Sequence, residues 1–395
     1  MKNLFVLAIC LVLVGGLLFT LAACSEDGGL KNAFAGEAVE TVKGVTDDFD
    51  SIEFVTDIAD ITIEKSNDES CKLISYDIEK IRYDVYVENG SLKIKSIDER
   101  KWFDRIFSFR NATLKLYLPE SSYSSLLIEE STGNISVSKD FSFTSISIDV
   151  STGNTSLYAS ASGHIDIEGS TGNVYVKDIS CASLDIEVST GNVSIKNLEC
   201  AGDVEIEVST GDVKLENVSF ASLITEGSTG RFTAEKLIGT NDLSVERDTG
   251  KVTIENATLG GNITTVTDTG NTEISLINCE GNVNTSVSTG RTTLTNVKCK
   301  NFTTVGDTGL IDMVDVIADG NFNIERSTGD VTFTRCDAAE ITILTDTGDV
   351  RGTLLSEKIF FYDTDTGDVD LPESMTGGKC KITTDTGDIV ISIEK

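Results

Sequence analysis

Apolar residues return at every second position through most of this chain. Leu184, Ile186 and Val188 alternate with Asp185 and Glu187, and Val204, Ile206 and Val208 alternate with Glu205 and Glu207. A period of two belongs to a strand with one buried and one wet face. After a Ser-Thr-Gly tripeptide the alternation resumes, at Val193 and Ile195 or at Val213 and Leu215. Two strands per unit are expected, with room for a short third, and no ten-residue stretch of the repeats has helical spacing.

The punctuation is itself periodic. From residue 131 onward Ser/Asp-Thr-Gly recurs fourteen times, with glycines at Gly133, Gly153, Gly172, Gly191, Gly211, Gly230, Gly250, Gly270, Gly290, Gly309, Gly329, Gly348, Gly367 and Gly387, always 19 or 20 residues apart. Such a period marks a solenoid, in which each repeat buries its apolar face only by stacking on its neighbours. The expected fold is all-β, a single-stranded parallel β-solenoid (β-helix) of 19–20-residue coils, right-handed by the bias of parallel crossovers. At each corner Ser or Asp is expected to accept a hydrogen bond from the backbone two residues on, and Gly to supply a positive φ. A second corner is expected where Asp178, Asn197, Asn217, Asn256, Asn296 and Asp315 share a register that Lys236 and Leu276 break. Stacked amides there read as a structural ladder.

The flanks are less regular. Residues 45–130 are expected to form a strand-rich N-terminal cap with the first irregular coils, and 131–395 the regular solenoid. Tyr83–Val87 and Ser91–Lys95 flank an Asn89-Gly90 hairpin turn. Lys101–Arg110 (KWFDRIFSFR) holds the only Trp and three Phe, and is read either as packing on the cap or as a membrane or ligand contact. At the far end Ile389–Ile393 runs directly to Lys395, which predicts an uncapped edge there and self-association or a partner on it.

At the start, Leu4–Ala23 is an uncharged, mostly apolar run of 20 residues, long enough as a helix to reach about 30 Å. It ends in Leu21-Ala22-Ala23-Cys24 and a polar follow-on, which resembles the lipobox of bacterial lipoproteins and implies Cys24 as the lipid attachment site. The other reading is an uncleaved signal anchor, favoured by the length of the run. Residues 1–23 are thus a signal peptide or membrane anchor and 24–44 a linker, and either way the body is expected outside the membrane.

Charge narrows the partners. With 64 acidic and 32 basic residues the chain carries a net charge of −32. Nucleic acid is excluded as a partner, because phosphate binding needs a positive surface, and cationic peptides or proteins are favoured instead. Seven cysteines beyond Cys24 include no C-x-x-C, and His164 is the only histidine, so no zinc site is indicated. Cys181 and Cys200 fall 19 apart and Cys279 and Cys299 20 apart, compatible with disulfides between adjacent coils; Phe220 in the same register favours reduced core cysteine.

Three further constellations carry candidate chemistry. Asp346, Asp349, Asp365, Asp368, Asp385 and Asp388 occupy two equivalent positions in three coils, an oxygen-only set that would suit calcium or would simply cap turns. Arg231, Lys251 and Arg291 follow turn glycines near Asp248, Asp268 and Asp307, and would either grip an acidic sugar or balance charge between coils. Ser136 and Lys139 match S-x-x-K, but on an alternating segment rather than the helix that chemistry requires. No other catalytic motif is present.

The STGN units near 131, 151, 170 and 189, the DTGD units near 346, 365 and 385, and the Leu-Tyr-Leu-Pro segment ending at Pro119 resemble the bacterial adhesin-type β-strand-repeat family DUF4097, formally a domain of unknown function. The resemblance covers about residues 45–395 and implies a surface-displayed, commonly membrane-anchored β-solenoid with an adhesion or envelope-stress role. It transfers no catalytic residue. The expected function is non-enzymatic binding of cell-envelope, host-surface or cationic partners along acidic, Ser/Thr-rich faces, with no cofactor unless calcium. The alternative is a carbohydrate-active β-helix, a lyase or hydrolase acting on polysaccharide.

Overall fold

The computed structural model describes residues 39–77, 80–100 and 111–394. Residues 1–23, Cys24 and Lys101–Arg110, for which expectations are given above, lie outside the described residues. Among the described residues there is no helix, hence none able to cross a membrane.

The body from Glu40 onward is a parallel β-solenoid. In each regular winding a leading strand runs into the Thr-Gly corner and a trailing strand runs out of it, as in Ser183–Thr190 then Val193–Cys200 and Val204–Thr210 then Val213–Phe220. Leading strands pair with leading strands and trailing with trailing, so Ile186 lies beside Ile206 and Ile195 beside Leu215. Residues one winding apart thereby become neighbours at about 4.8 Å. The period of two then sorts every strand into core and solvent, and the 19–20-residue period aligns the core positions into columns. One such column runs through Leu184, Val204, Leu223, Leu243, Ile263, Val283, Phe302 and Phe322, all buried. Each aliphatic side chain fully withdrawn from water contributes about 1.5–3 kcal/mol. Packing also couples windings: a Cβ on Gly239 would stand 2.5 Å from Phe220 Cε2, so the glycine makes room for that ring.

Three corners bend each regular winding. The third, as at residues 201–203 between a trailing strand and the next leading strand, has its own ladder, with Asn262 Nδ2 donating to Asp242 Oδ1 and Asn282 Nδ2 to Asn262 Oδ1, both at 3.1 Å. At the first, glycines stack on glycines. Gly191 has φ +153°, and a Cβ there would lie 1.7 Å from Gly172 O in the winding before. The expected side-chain cap from Ser or Asp is not what closes this corner among the described residues. Backbone bonds between windings do so instead, Gly191 N donating to Thr210 O at 2.9 Å, and the residue after the glycine adds a ladder. Asn154 donates through both its backbone N and its Nδ2 to Asn134 Oδ1 at 3.0 Å, and Asn173 does the same to Asn154. Because the coils stack so closely, the neighbouring winding reaches these groups before the corner's own side chain can.

The second corner falls where the sequence places it. Asp178, Asn197, Asn217, Lys236, Asn256, Leu276, Asn296, Asp315 and Arg335 all take φ between 52° and 60°. The left-handed residue drops out of the parallel ladder and shifts the alternation, so that Ile195 and Leu198 both face inward. Asn197 Nδ2 donates to Asp178 Oδ1 at 2.5 Å and Asn217 Nδ2 to Asn197 Oδ1 at 2.9 Å, on the exposed side of the bend. Lys236 and Leu276 keep the bend but lack the amide.

Both ends are built out of chain order. The strand Ser51–Lys65 is flanked on its outer side by the later strands Ser91–Asp98 and Ala112–Leu118, and on its inner side by Ser122–Thr132 and Ile135–Val137. Antiparallel strands close that end: Ile81–Glu88 on Ser91–Asp98, through a turn with Asn89 at φ 54° and Gly90 at φ 77°, and Cys71–Asp77 on Ala112–Leu118. At the other end the winding Gly378–Thr386 with Ile389–Ile393 is inserted between Glu340–Leu354 and Lys358–Asp370. Ile389–Ile393 is therefore an interior strand, and the open edge is Lys358–Thr366 with Val369–Asp370. Burial explains the choice. The inserted winding presents Cys380, Ile382, Ile389 and Ile391 to the core, whereas the outer one presents Phe360 and Tyr362, and a tyrosine tolerates a wet edge.

Candidate binding faces

The most strongly charged surface follows from the alternation of the leading strands. Between their inward aliphatics, Asp149, Glu168, Glu187, Glu207 and Glu226 stand outward in one register across successive windings. A second file, Asp166, Asp185 and Glu205, runs beside them. Neighbouring unit charges at about 4.8 Å repel by about 0.9 kcal/mol in bulk water, more where solvent is thinner. The file registers this: the carboxyl of Glu168 is pushed above the usual range by Asp166, then by its partial burial and by Asp149 and Glu187. Among the described residues only His164 approaches as a basic group, its Nε2 3.7 Å from Asp185 Oδ2. The trailing face over the same windings is balanced, with Lys196 Nζ 2.5 Å from Glu216 Oε1.

A cleft of about 600 Å³ lies where the trailing strands Ile135–Val137 and Thr155–Leu157 are only three residues long. Lys65, Lys139, Lys177 and Tyr158 line it together with Ser136, Ser138 and the carboxylates of Glu64, Asp140 and Asp178. Ser136 sits on the first of those strands and Lys139 beyond its end, so the S-x-x-K pair is not carried on one helical turn.

The other sequence candidates are distributed as follows. Arg231 Nη2 donates to Asp212 Oδ2 at 2.7 Å, Lys251 Nζ lies 2.7 Å from Glu273, and Arg291 Nη1 lies 3.0 Å from Asp312. Each is tied to a carboxylate on a neighbouring winding. Asp349, Asp388 and Asp368 stack in that spatial order, each accepting a backbone N–H from the next at 2.8–3.0 Å. Arg351 Nη2 bridges Asp349 and Asp388 at 2.7 and 2.8 Å, and its guanidinium holds the Asp349 carboxyl below its ordinary range. Asp346, Asp385 and Asp365 stand exposed on the other side of the corner. Among the described residues no three His, Cys, Asp or Glu side chains converge as a metal would require. The seven cysteines are buried free thiols, with Cys181 in register with Cys200.

Five buried charged side chains among the described residues escaped the sequence reading: Arg100 and Lys358 are ion-paired, with Asp98 and Asp337, while Glu130, Arg247 and Arg326 have no ion pair there. Glu130 accepts from Thr56 Oγ1 and, at 3.1 Å, from the backbone N of Ala59 and of Thr132; burial pushes its carboxyl up to about 7. Arg247 and Arg326 are 1% exposed, and among the described residues neither has a carboxylate within ion-pair distance. Burial lowers Arg247 to about 10. Its Nη2 donates to Thr225 Oγ1 at 2.8 Å, while Arg326 Nη1 donates to Val287 O at 2.8 Å and leaves Nε and Nη2 without partners. The signal was a glycine one winding earlier in the same register: a Cβ on Gly227 or Gly306 would lie 2.5 or 2.1 Å from the arginine Nη1.

Among solved structures, the chain is similar to that of a "putative adhesin" from Bacteroides fragilis NCTC 9343, at 13% identity and a TM-score of 0.23 over 90% of this chain and 97% of that one. It is also similar to a "putative cell adhesion protein" from Clostridium sporogenes ATCC 15579, at 9% identity and a TM-score of 0.17 over 91% and 100%. Neither likeness is close enough to carry an argument about this chain. No curated protein matches it. The model of the Toastrack DUF4097 family matches residues 49–291, more than half of the length, and the chain belongs to that family.

Proposed function

We propose that this chain is a non-enzymatic, adhesin-like interaction protein of the bacterial cell surface, and that it engages cationic partners along the acidic face of its leading sheet. The observation that carries the reading is the in-register file Asp149, Glu168, Glu187, Glu207 and Glu226 with Asp166, Asp185 and Glu205 beside it. Carboxylates stacked without cations raise the free energy of the isolated column. A polycation would lower it and gain from many weak contacts at a fixed spacing. Anchoring is assigned to the N-terminal segment, through lipidated Cys24 or an uncleaved helix.

The test is calorimetric titration with an oligolysine at several salt concentrations. A variant with Asp185→Asn, Glu187→Gln, Glu205→Gln and Glu207→Gln is expected to bind at least tenfold more weakly and with a shallower salt dependence. Unchanged binding by that variant would remove the face from the proposal. The glycan-processing alternative would draw on the cleft at Lys65, Lys139 and Tyr158. That reading requires shortened or unsaturated products when the protein is incubated with anionic polysaccharide.

A further inference from the structure

The column is finished differently at its two ends. At the N-terminal end the strand Ile81–Glu88, outermost on its own sheet, turns Arg82, Asp84, Tyr86 and Glu88 to solvent, and Lys43 Nζ bonds the carbonyl of Tyr83 on it, while Val39–Val45 lies outside Cys71–Asp77 on the other sheet. Charged side chains and a blocked carbonyl discourage further pairing. At the C-terminal end the strand Lys358–Thr366 pairs, among the described residues, on one side only. Phe361 is 52% and Tyr362 58% exposed, although Tyr362 stands in the core column of Ile343 and Ile382. Phe360, Tyr362, Val369 and Leu371 border an open groove of about 290 Å³ there. Among the described residues this aromatic, half-paired winding has no cover like that at the other end.

We propose that two copies of this chain cover each other head to head, the strand Lys358–Thr366 pairing antiparallel with its own copy about a two-fold axis at Tyr362. Charge selects this arrangement. The outward side of the edge is basic at its start, where Lys379 and Lys381 stand beside Ile359 and Phe361, and acidic at its finish, with Asp363 and Asp365. An antiparallel mate sets Ile359 and Phe361 of one copy opposite Asp365 and Asp363 of the other, with the two lysines on the adjoining strand behind. A parallel mate would bring like charges together. The contact is self-complementary and closed, so it makes dimers and not filaments.

Sedimentation of the full chain tests this, since the charges can be exchanged. Wild-type protein is expected to be dimeric at about 50 µM. Lys379→Glu with Lys381→Glu, and separately Asp363→Lys with Asp365→Lys, should each weaken the dimer more than tenfold, and an equimolar mixture of the two variants should restore it. Recovery in the mixture also shows that both variants fold. A wild-type monomer at that concentration, or a dimer unaffected by either pair of changes, would overturn the proposal.

Discussion

Replacing Leu276 by asparagine should strengthen the windings around it. Leu276 holds φ 56° at a bend where Asn256 and Asn296 stand one winding to either side. A left-handed conformation costs a residue with a Cβ about 1–2 kcal/mol, and less for asparagine, whose short polar side chain bonds locally. An amide at 276 would also supply the missing rung between its neighbours, and each net hydrogen bond contributes about 0.5–1.5 kcal/mol. Against this stands the burial surrendered. Leu276 is 50% exposed, so about half of the 1.5–3 kcal/mol of a fully buried leucine is lost. The balance favours asparagine by about 1 kcal/mol. Stacked repeats do not unfold as a single unit, so the suitable assay is amide deuterium exchange followed strand by strand. Exchange in Val252–Leu259, Thr272–Cys279 and Thr292–Cys299 should slow about fivefold. The converse change, Asn197→Leu, breaks the bonds to Asp178 and Asn217 and should speed exchange in its own windings. Unchanged or faster exchange in the Leu276→Asn protein would refute the idea that side-chain strain and the amide ladder set the strength of this bend.

Two other perturbations follow from buried charge. Arg326→Met removes a guanidinium with two nitrogens unpartnered among the described residues, at the cost of one bond to Val287 O; an unmet buried donor costs about 1–3 kcal/mol, so amide exchange in Phe302–Thr308 and Asn321–Thr328 should slow about thirtyfold, and faster exchange would refute the idea that this charge destabilises its windings. For Glu130 the native state binds the proton more tightly than the unfolded chain, since its carboxyl rises from 4.5 to about 7. Its contribution is full below pH about 4.5 and is gone above about 7, a swing of about 3 kcal/mol that Glu130→Gln should abolish when stabilities near pH 4 and pH 8 are compared; a variant keeping the wild-type pH dependence would place the titration elsewhere.

The regular windings were legible because one residue type does one job at each corner. Thr-Gly marks the place where only a glycine lets coils touch, and the Asn197 register marks the left-handed bend closely enough that Lys236 and Leu276 adopt it without the side chain that suits it. The hairpin at Asn89-Gly90 was legible for the same local reason. Winding order at the C-terminal end was not, since the corners at Gly348, Gly367 and Gly387 carry the same Asp-Thr-Gly-Asp signal and any of them can stack on any other. Which neighbour is chosen depends on burial summed over a whole winding, which no short motif records. The acidic file was visible as alternation, but its registry required knowing where spacings of 19 and of 20 fall.

Insertion of Gly378–Ile393 ahead of Lys358–Asp370 sets the order of assembly. A column of this kind can zip up from one side while its chain is still emerging, until it reaches Leu354. There growth must pause, because the next stretch to appear has no place to dock until the stretch after it has slotted in. The last step is thus a latch. Losing the Gly378–Ile393 segment would disengage two layers at once and leave an unfinished, adhesive end open to aggregation and proteolysis.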